Sequence, residues 1–514
     1  MRLLRSTAVV GVFTMASRVL GLVREMLLAR TLGAGPVTDA FLTAFQFPNL
    51  FRRIFAEGAF NSAFVPLFAG KLEADGQDEA RKFAREVLSM LFTAMLILVV
   101  GAQIFMPWLM YLLGPGFVSN PDLFALAVLL TIITMPYLLM MSISAMLAGI
   151  LNSHGRFAAA AAAPVLLNIT LIAILFFADA RGEMLARYLA IGITVSGIAQ
   201  TAWLWAAVRA TGIGLSLQLP RLTPGTKRLI MLGIPGAIAA GVTQINILVT
   251  SSIATLEAGA RSWLYYADRL YQLPLGVVGI AMGVVLLPTL TKRLRADDSV
   301  GARNLMNRAL EVSMALTLPA AAALATIPEF IVSGLYEYDA FTTQDTEYVA
   351  QALRAFAFGL PAFVLIKVLS PGFFAREDTL TPMRFATVGV VINLALGLGL
   401  FFGPLGFLGL AIATSTAGWV NTVLLGLTLH RRGLFEPDRR LAGRLPRILL
   451  ATAVMSAFLL FAVANGPWII AQSFGMPFLA LALVCGAGAA VFGLAAIGTG
   501  ALRISEVMGS LKRS

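Results

Sequence analysis

The chain has 514 residues, 59% of them hydrophobic and 12% charged, with mean hydropathy +0.86 and a formal charge of +12. Soluble domains carry about 25% charged residues, so a water-soluble class is excluded. A nucleic-acid partner is excluded too, because the positive charge falls in short loops between apolar runs, where orientation signals sit.

Fourteen apolar segments begin near residues 7, 38, 84, 122, 158, 185, 229, 262, 309, 346, 384, 406, 447 and 475. A span needs about 20 such residues. Arg2 and Arg5 precede the first run. Arg18 interrupts it and no small-residue cleavage site follows, so the first helix is expected to act as its own insertion signal. That helix reads Ala16-Ser17-Arg18-Val19-Leu20-Gly21-Leu22-Val23-Arg24-Glu25. At about 3.6 residues per turn, Arg18 and Glu25 share a face and Arg24 is turned away. Gly21 between them permits a bend or a close approach of another helix.

The second segment reads Phe47-Pro48-Asn49-Leu50-Phe51-Arg52-Arg53-Ile54-Phe55-Ala56-Glu57-Gly58. Asn49, Arg52 and Arg53 share a face, and Arg53 can pair with Glu57 one turn on. Pro48 and Gly58 predict a broken or bent helix, the means by which transporters expose backbone groups to polar substrates. Segment eight, Trp263-Leu264-Tyr265-Tyr266-Ala267-Asp268-Arg269-Leu270-Tyr271-Gln272-Leu273-Pro274, has the same layout of charge pair, then proline, then glycine-rich run.

The loops alternate in charge. Basic loops carry Lys71, Arg81, Lys82 and Arg85, then Arg156, then Arg209 to Arg228, Lys292 to Arg308, Arg376 with Arg384, and Arg431 to Arg447. The intervening loops hold only Arg181, Arg187 and Arg261, and the one around Glu337, Asp339, Asp345 and Glu347 is acidic. This alternation places both termini in the cytoplasm and requires an even number of spans.

A weak repeat runs through the chain. Pro136 and Pro361 are 225 residues apart, as are Asn168 and Asn393. Both asparagine stretches begin Arg-Phe-Ala and end in Phe-Phe, and Pro66 and Pro288 are 222 apart. An offset of six spans inserts both halves the same way up, as in transporters that rock two parallel lobes about a midplane site. The expected fold is an all-α polytopic membrane protein of fourteen transmembrane helices. Residues 1–215 form a first six-helix lobe, 222–433 a second, and 440–505 the last two helices.

Eight cations fall inside apolar segments: Arg18, Arg24, Arg30, Arg52, Arg53, Arg269, Arg354 and Lys367. Glu25, Asp39, Glu57 and Asp268 accompany them. Each ionised side chain costs roughly 2.5–3.5 kcal/mol at bilayer depth, so a surplus of cations predicts a wet, anion-binding cavity. Arginine forks suit phosphate oxygens, and a cluster of them reads as a phosphate or pyrophosphate clamp. Arg53–Glu57 and Asp268–Arg269 can also be read as ion pairs that hold helices together. Arg30 and Arg354 lie near outer helix ends, where they are expected to snorkel to the interface. Lys367 lies opposite Ser142 in the repeat and marks asymmetry between the lobes.

Enzyme signatures are absent. There is no phosphate-binding Gly-x-x-x-x-Gly-Lys loop, no His-Glu-x-x-His and no Gly-x-Ser-x-Gly. His154 and His430 sit beside basic loops and read as solvated or interfacial. Cys485 is the one cysteine, which rules out an internal disulfide and a cysteine metal cluster, and its apolar run predicts a packed core thiol.

The stretch from Ser17 to Pro66, Tyr265-Tyr266-Ala267-Asp268-Arg269, and Pro371-Gly372-Phe373-Phe374-Ala375-Arg376 together resemble the MurJ (MviN) family. That family belongs to the multidrug/oligosaccharidyl-lipid/polysaccharide exporter superfamily, and the resemblance covers essentially the whole chain. It implies a non-enzymatic flippase for lipid II, the undecaprenyl-pyrophosphate-linked peptidoglycan precursor, in the bacterial cytoplasmic membrane. It also implies two lobes around a cationic cavity, and a tail groove on the last two helices, which lack charged residues between Ile448 and Leu502. The family's required arginines match Arg18, Arg24, Arg52 and Arg269, and Asp39, Glu57 and Lys367 fall at its charged positions. The substrate-contact candidates are therefore Ser17, Arg18, Arg24, Asn49, Arg52 and Arg269. Glu25, Asp39, Arg53, Glu57, Asp268 and Lys367 are the candidates for cavity charge or gating. Partners expected are lipid II, membrane lipids and cell-wall synthesis proteins. No cofactor or metal is expected; coupling to a monovalent cation or to membrane potential stays open, since the family's sodium ligands do not map onto this sequence.

Overall fold

The computed structural model describes residues 2–51, 53, 61–465 and 477–502. Among them the regular elements are all helical, with no strand. In chain order they are α1 (Arg2–Leu32), α2 (Pro36–Phe51), α3 (Asn61–Ala74), α4 (Gly76–Ile104), α5 (Met106–Leu113), α6 (Pro121–Thr134), α7 (Pro136–Ser153), α8 (Phe157–Phe177) and α9 (Gly182–Arg209). Then come α10 (Pro224–Ala254), α11 (Ala260–Arg295), α12 (Ser299–Thr326), α13 (Pro328–Tyr336), α14 (Thr343–Phe374), α15 (Leu380–Phe401), α16 (Phe407–Arg431), α17 (Arg439–Asn465) and α18 (Pro477–Gly498). A short 3-10 turn, Pro115–Ser119, links α5 to α6.

Ten of the described helices are long and apolar enough to cross a membrane, with α6 and α7 counted as one rod, Pro121–Ser153. This is the architecture of a multi-span membrane protein. Helices are favoured there because each backbone N–H finds its partner inside its own segment.

The chain divides into two compact units. One comprises residues 1–262 with 339–341, the other residues 263–338 with 342–514. In the first unit α4 stops at Ile104 and the short α5 follows; in the second α12 stops at Thr326 and the short α13 follows. Pro107 and Pro328 stand at the second and first positions of these short helices, where a missing N–H costs nothing. The rod α6–α7 then packs on α9, as α14 packs on α16.

Pro136 and Pro361 are treated differently. Pro136 breaks its rod at Met135, and the carbonyl of Ile132 that it leaves without an i+4 donor accepts from Gln103 Nε2 of α4 at 2.9 Å. Pro361 lies within the continuous α14, where Ser415, Trp419 and Thr422 of α16 donate to the carbonyls of Ala355, Phe358 and Ala362.

In the second unit α12, α17 and α18 pack through small residues: Ala315, Ile448, Ala451, Ala496 and Ala501 form one buried cluster. Cys485 corrects the sequence expectation. It is exposed on α18, not packed in a core. Hydropathy cannot separate a lipid-facing residue from a core one, because in a bilayer both are apolar.

Candidate functional site

The charged residues of α1 are organised by one asparagine of α8. Asn168 is buried, and its Oδ1 accepts from Arg24 Nη1 at 3.0 Å. Its Nδ2 donates to the Ser17 carbonyl at 3.0 Å and to Ser17 Oγ at 3.4 Å. A Cβ at Gly21 would lie 3.9 Å from Asn168 Oδ1, so glycine keeps the two helices close there. Arg24 also forms an ion pair with Glu25, which is buried. Ser17, Arg24 and Glu25 are thus brought together, with the guanidinium oriented by a neutral amide as well as a carboxylate.

Arg18 is placed otherwise. It is exposed, and no side-chain partner stands beside it among the described residues. It lines a cavity of ≈ 480 Å³ whose other polar lining is Thr14, Ser17 and Asn152, with Phe157 and Pro164 among the apolar walls. Pro164 has no N–H, so the carbonyl of Ala160, also in the lining, has no i+4 helical donor. The cavity therefore presents one cation, hydroxyls and a backbone acceptor, enough to hold an anionic, hydroxyl-bearing group.

Asp39 is a buried hub. Its Oδ2 accepts from the Gly259 N–H at 2.7 Å, and its Oδ1 accepts from the Ser262 N–H and hydroxyl at 2.8 and 2.6 Å. It thereby caps the first turn of α11, whose leading N–H groups otherwise have no helical partner. Ser262 Oγ in turn accepts from the Gly35 N–H at 3.0 Å. Arg261, which the sequence places in an outer loop, is buried and bonds the Leu42 carbonyl at 3.0 Å and the Gln46 side chain. Turn residues that fold back under a helix read as loop in sequence, which is why Arg261 was misplaced.

Two arginines counted as intramembrane surplus have acids outside the apolar runs. Arg30 Nε bonds Asp339 Oδ2 at 2.7 Å, and the Ala340 N–H donates to the Arg30 carbonyl at 3.0 Å. Arg354 Nη2 bonds both carboxylate oxygens of Glu329, at 2.9 and 3.2 Å. Both arginines are exposed near helix ends, as snorkelling requires, with partners that sequence separation concealed.

In the second unit the Arg269 guanidinium sits 4.7 Å over the Tyr265 ring, a cation–π contact. Asp268 accepts from the Gln272 amide one turn on. Lys367 is exposed on the otherwise buried α14. Asn49 Nδ2 bonds the Phe45 carbonyl at 3.0 Å, and Arg53 is exposed. Arg52 and Glu57 lie outside the described residues. Also among the described residues, no three His, Cys, Asp or Glu side chains gather as metal ligands.

The sequence reading missed a buried charge cluster in the second unit. Glu311 of α12 pairs with Arg308, Arg440 and Arg444, and Arg308 pairs with Asp438. Arg444 and Glu311 are each only 6% exposed. Arg308, Arg440 and Arg444 had been counted as loop charges. The available signal was Glu311, an acid beside an apolar run.

The family model described as "Lipid II flippase MurJ" matches residues 28–478. This chain belongs to the MurJ family. It is 47% identical over 520 residues to a "Probable lipid II flippase MurJ" of Rhizobium meliloti, covering 100% of this chain and 97% of that protein. It is 33% identical to the "Lipid II flippase MurJ" of Burkholderia cenocepacia, over 94% of this chain and 95% of that one. Among solved structures it resembles "Lipid II flippase MurJ, inward closed conformation" with TM-score 0.74 at 25% identity, covering 95% of this chain and 98% of the other. The fold extends to an inward-facing multidrug resistance MATE transporter of the MOP superfamily, with TM-score 0.66 at 14% identity over 83% of this chain and 98% of that one. MurJ membership and the multi-span fold place the chain in the inner membrane among transporters, not catalysts.

Proposed function

We propose that this chain flips lipid II from the cytoplasmic to the outer leaflet of the bacterial inner membrane by alternating access. In this reading fourteen spans form two six-helix lobes plus two C-terminal helices, and both termini are cytoplasmic. The observation that carries it is Arg18, an exposed cation without a side-chain partner, lining a cavity on the same helix as the anchored Arg24.

Arg18, Arg24, Arg52 and Arg269 hold the pyrophosphate. A phosphate oxygen competes with Glu25 for the Arg24 fork, while Asn168 keeps that fork aimed. Neutralising the cations lets the lobes close inside and open outside. The isoprenoid tail stays in lipid against α17 and α18. Reset uses the membrane potential on the unneutralised cations, worth roughly 2.3 kcal/mol per charge per 100 mV. A coupled monovalent cation is the competing energy source.

The test is lipid II translocation in cells depleted of their own flippase, scored by enzymatic accessibility of outer-leaflet precursor. Wild type is expected to rescue. Arg18→Ala and Arg269→Ala, at equal membrane levels, should lose about tenfold or more, the loss of one charge-assisted contact. Rescue by both variants would show that these cations are structural. Failure of wild type would move the substrate to another polyprenyl-linked molecule.

A further inference from the structure

The foot of α17 carries a feature that the transport reading does not use. One side of this helix is buried: Leu441, Arg444, Ile448, Ala451, Met455 and Leu459 recur at spacings of three and four. Another stripe, at the same spacings, is exposed throughout: Arg439, Gly443, Arg447, Leu450, Val454 and Phe461. Its first half is basic and its second half apolar. Leu450, Val454 and Phe461 are 56%, 46% and 68% exposed. Gly443 between the two arginines has open space where a side chain would stand.

Beneath the stripe is the buried charge cluster. Glu311 binds Arg308, Arg440 and Arg444, and Asp438 binds Arg308 and caps the α17 backbone through the Leu441 N–H at 2.6 Å. Asn307 adds bonds to the Glu436 carbonyl at 2.9 Å and the Asp438 N–H at 3.1 Å. These contacts fix the first turns of α17 to α12, so Arg439 and Arg447 stand on a rigid base. The region holds six arginines, at 303, 308, 439, 440, 444 and 447, against three carboxylates, Glu311, Glu436 and Asp438. It is left strongly cationic.

We infer that this stripe is a binding site for an anionic glycerophospholipid, its phosphate between Arg439 and Arg447 over Gly443 and an acyl chain along Leu450, Val454 and Phe461. Charge complementarity selects the head group, since basic pockets at the ends of membrane helices hold anionic lipid heads. Length selects a lipid over a soluble anion. From Leu450 to Phe461 the helix rises about 16 Å at 1.5 Å per residue, close to half of the roughly 30 Å hydrocarbon core. The stripe is therefore one leaflet deep, with its cations at the polar boundary.

The experiment is native mass spectrometry of the full chain, purified in detergent and titrated with phosphatidylglycerol or phosphatidylcholine of matched chains. Wild type is expected to retain phosphatidylglycerol about fivefold more per contributing arginine. Arg439→Gln with Arg447→Gln should erase that preference, and Arg439→Lys with Arg447→Lys should keep most of it. Equal retention of the two lipids by wild type, which needs no variant to fold, would overturn the proposal. So would an undiminished preference in the glutamine variant, or displacement of the lipid by millimolar inorganic phosphate.

Discussion

Asn168 and Asn393 are 225 residues apart, each buried on the helix that follows its unit's long rod, and they do different work. Asn168 reaches out of its helix to α1 and fixes Ser17 and Arg24. Asn393 accepts from Thr414 of α16 at 3.2 Å, a bond within the local helix pair. The same scaffold position thus serves charge placement in one unit and packing in the other. An internal repeat can conserve a backbone while the chemistry is supplied by whichever helix lies alongside.

The largest expected effect tests that contrast directly. Asn168→Leu removes a neutral anchor from a guanidinium, and hydrogen bonds to charged groups are worth about 1.5–3 kcal/mol. Lipid II translocation should fall about tenfold or more, with membrane levels retained. Asn393→Leu should leave translocation within about threefold and show itself in thermal stability. Equal losses of translocation from the two variants would end the comparison.

Asp39 sharpens it on the acid side. Asp39→Ala leaves the Gly259 and Ser262 N–H groups buried without their acceptor, at about 1–3 kcal/mol. A lowered melting temperature of the purified protein is expected. Asp39→Asn, which can still accept, should recover part of it. A full loss of translocation at unchanged melting temperature would instead make Asp39 a gating residue.

The exposed pairs mark the lower end. Arg30→Gln and Arg354→Gln each break a surface ion pair worth about 0–1 kcal/mol. Both should translocate normally, in contrast to Arg18→Ala. A severe defect in either would restore it to the functional set.

Smallest is the effect at Asp378, in the segment between α14 and α15. The Thr381 N–H and hydroxyl, with Arg432, hold its carboxyl down to about 2, from an ordinary value of 3.8. Its contribution is therefore complete above about pH 4 and lost as pH falls through about 2. In Asp378→Asn the fall of melting temperature over that window should flatten. An identical acid profile would remove the assignment. Asp438, by contrast, is pulled upward by burial but held below its ordinary value overall by the Leu441 N–H and Arg308.

Much of the architecture was legible because a membrane enforces a coarse code of long apolar runs and basic loops. The pairing of Arg24 with Glu25 was legible too, as neighbours on one helix. Asn168 was noticed only as a repeat marker, since nothing in a sequence says which helix lies across from a buried amide. Arg30 with Asp339 and Arg354 with Glu329 were invisible for the same reason: the acids are 309 and 25 residues away. Arg261, Arg444 and Cys485 failed in a different way. Charge and hydropathy were read as depth, but helix ends bury charge and lipid-facing surfaces expose apolar groups.

Glu311 and Arg444 are separated by 133 residues. At roughly 5–20 residues per second of synthesis, the carboxylate waits about 7–27 seconds for that partner to emerge. During this interval Arg308, three residues away, is its nearby counter-charge. Completion of α17 is therefore an assembly checkpoint. A nascent chain arrested before residue 440 displays an under-neutralised acid at the bilayer edge, a mark by which membrane quality control can tell an unfinished molecule from a finished one.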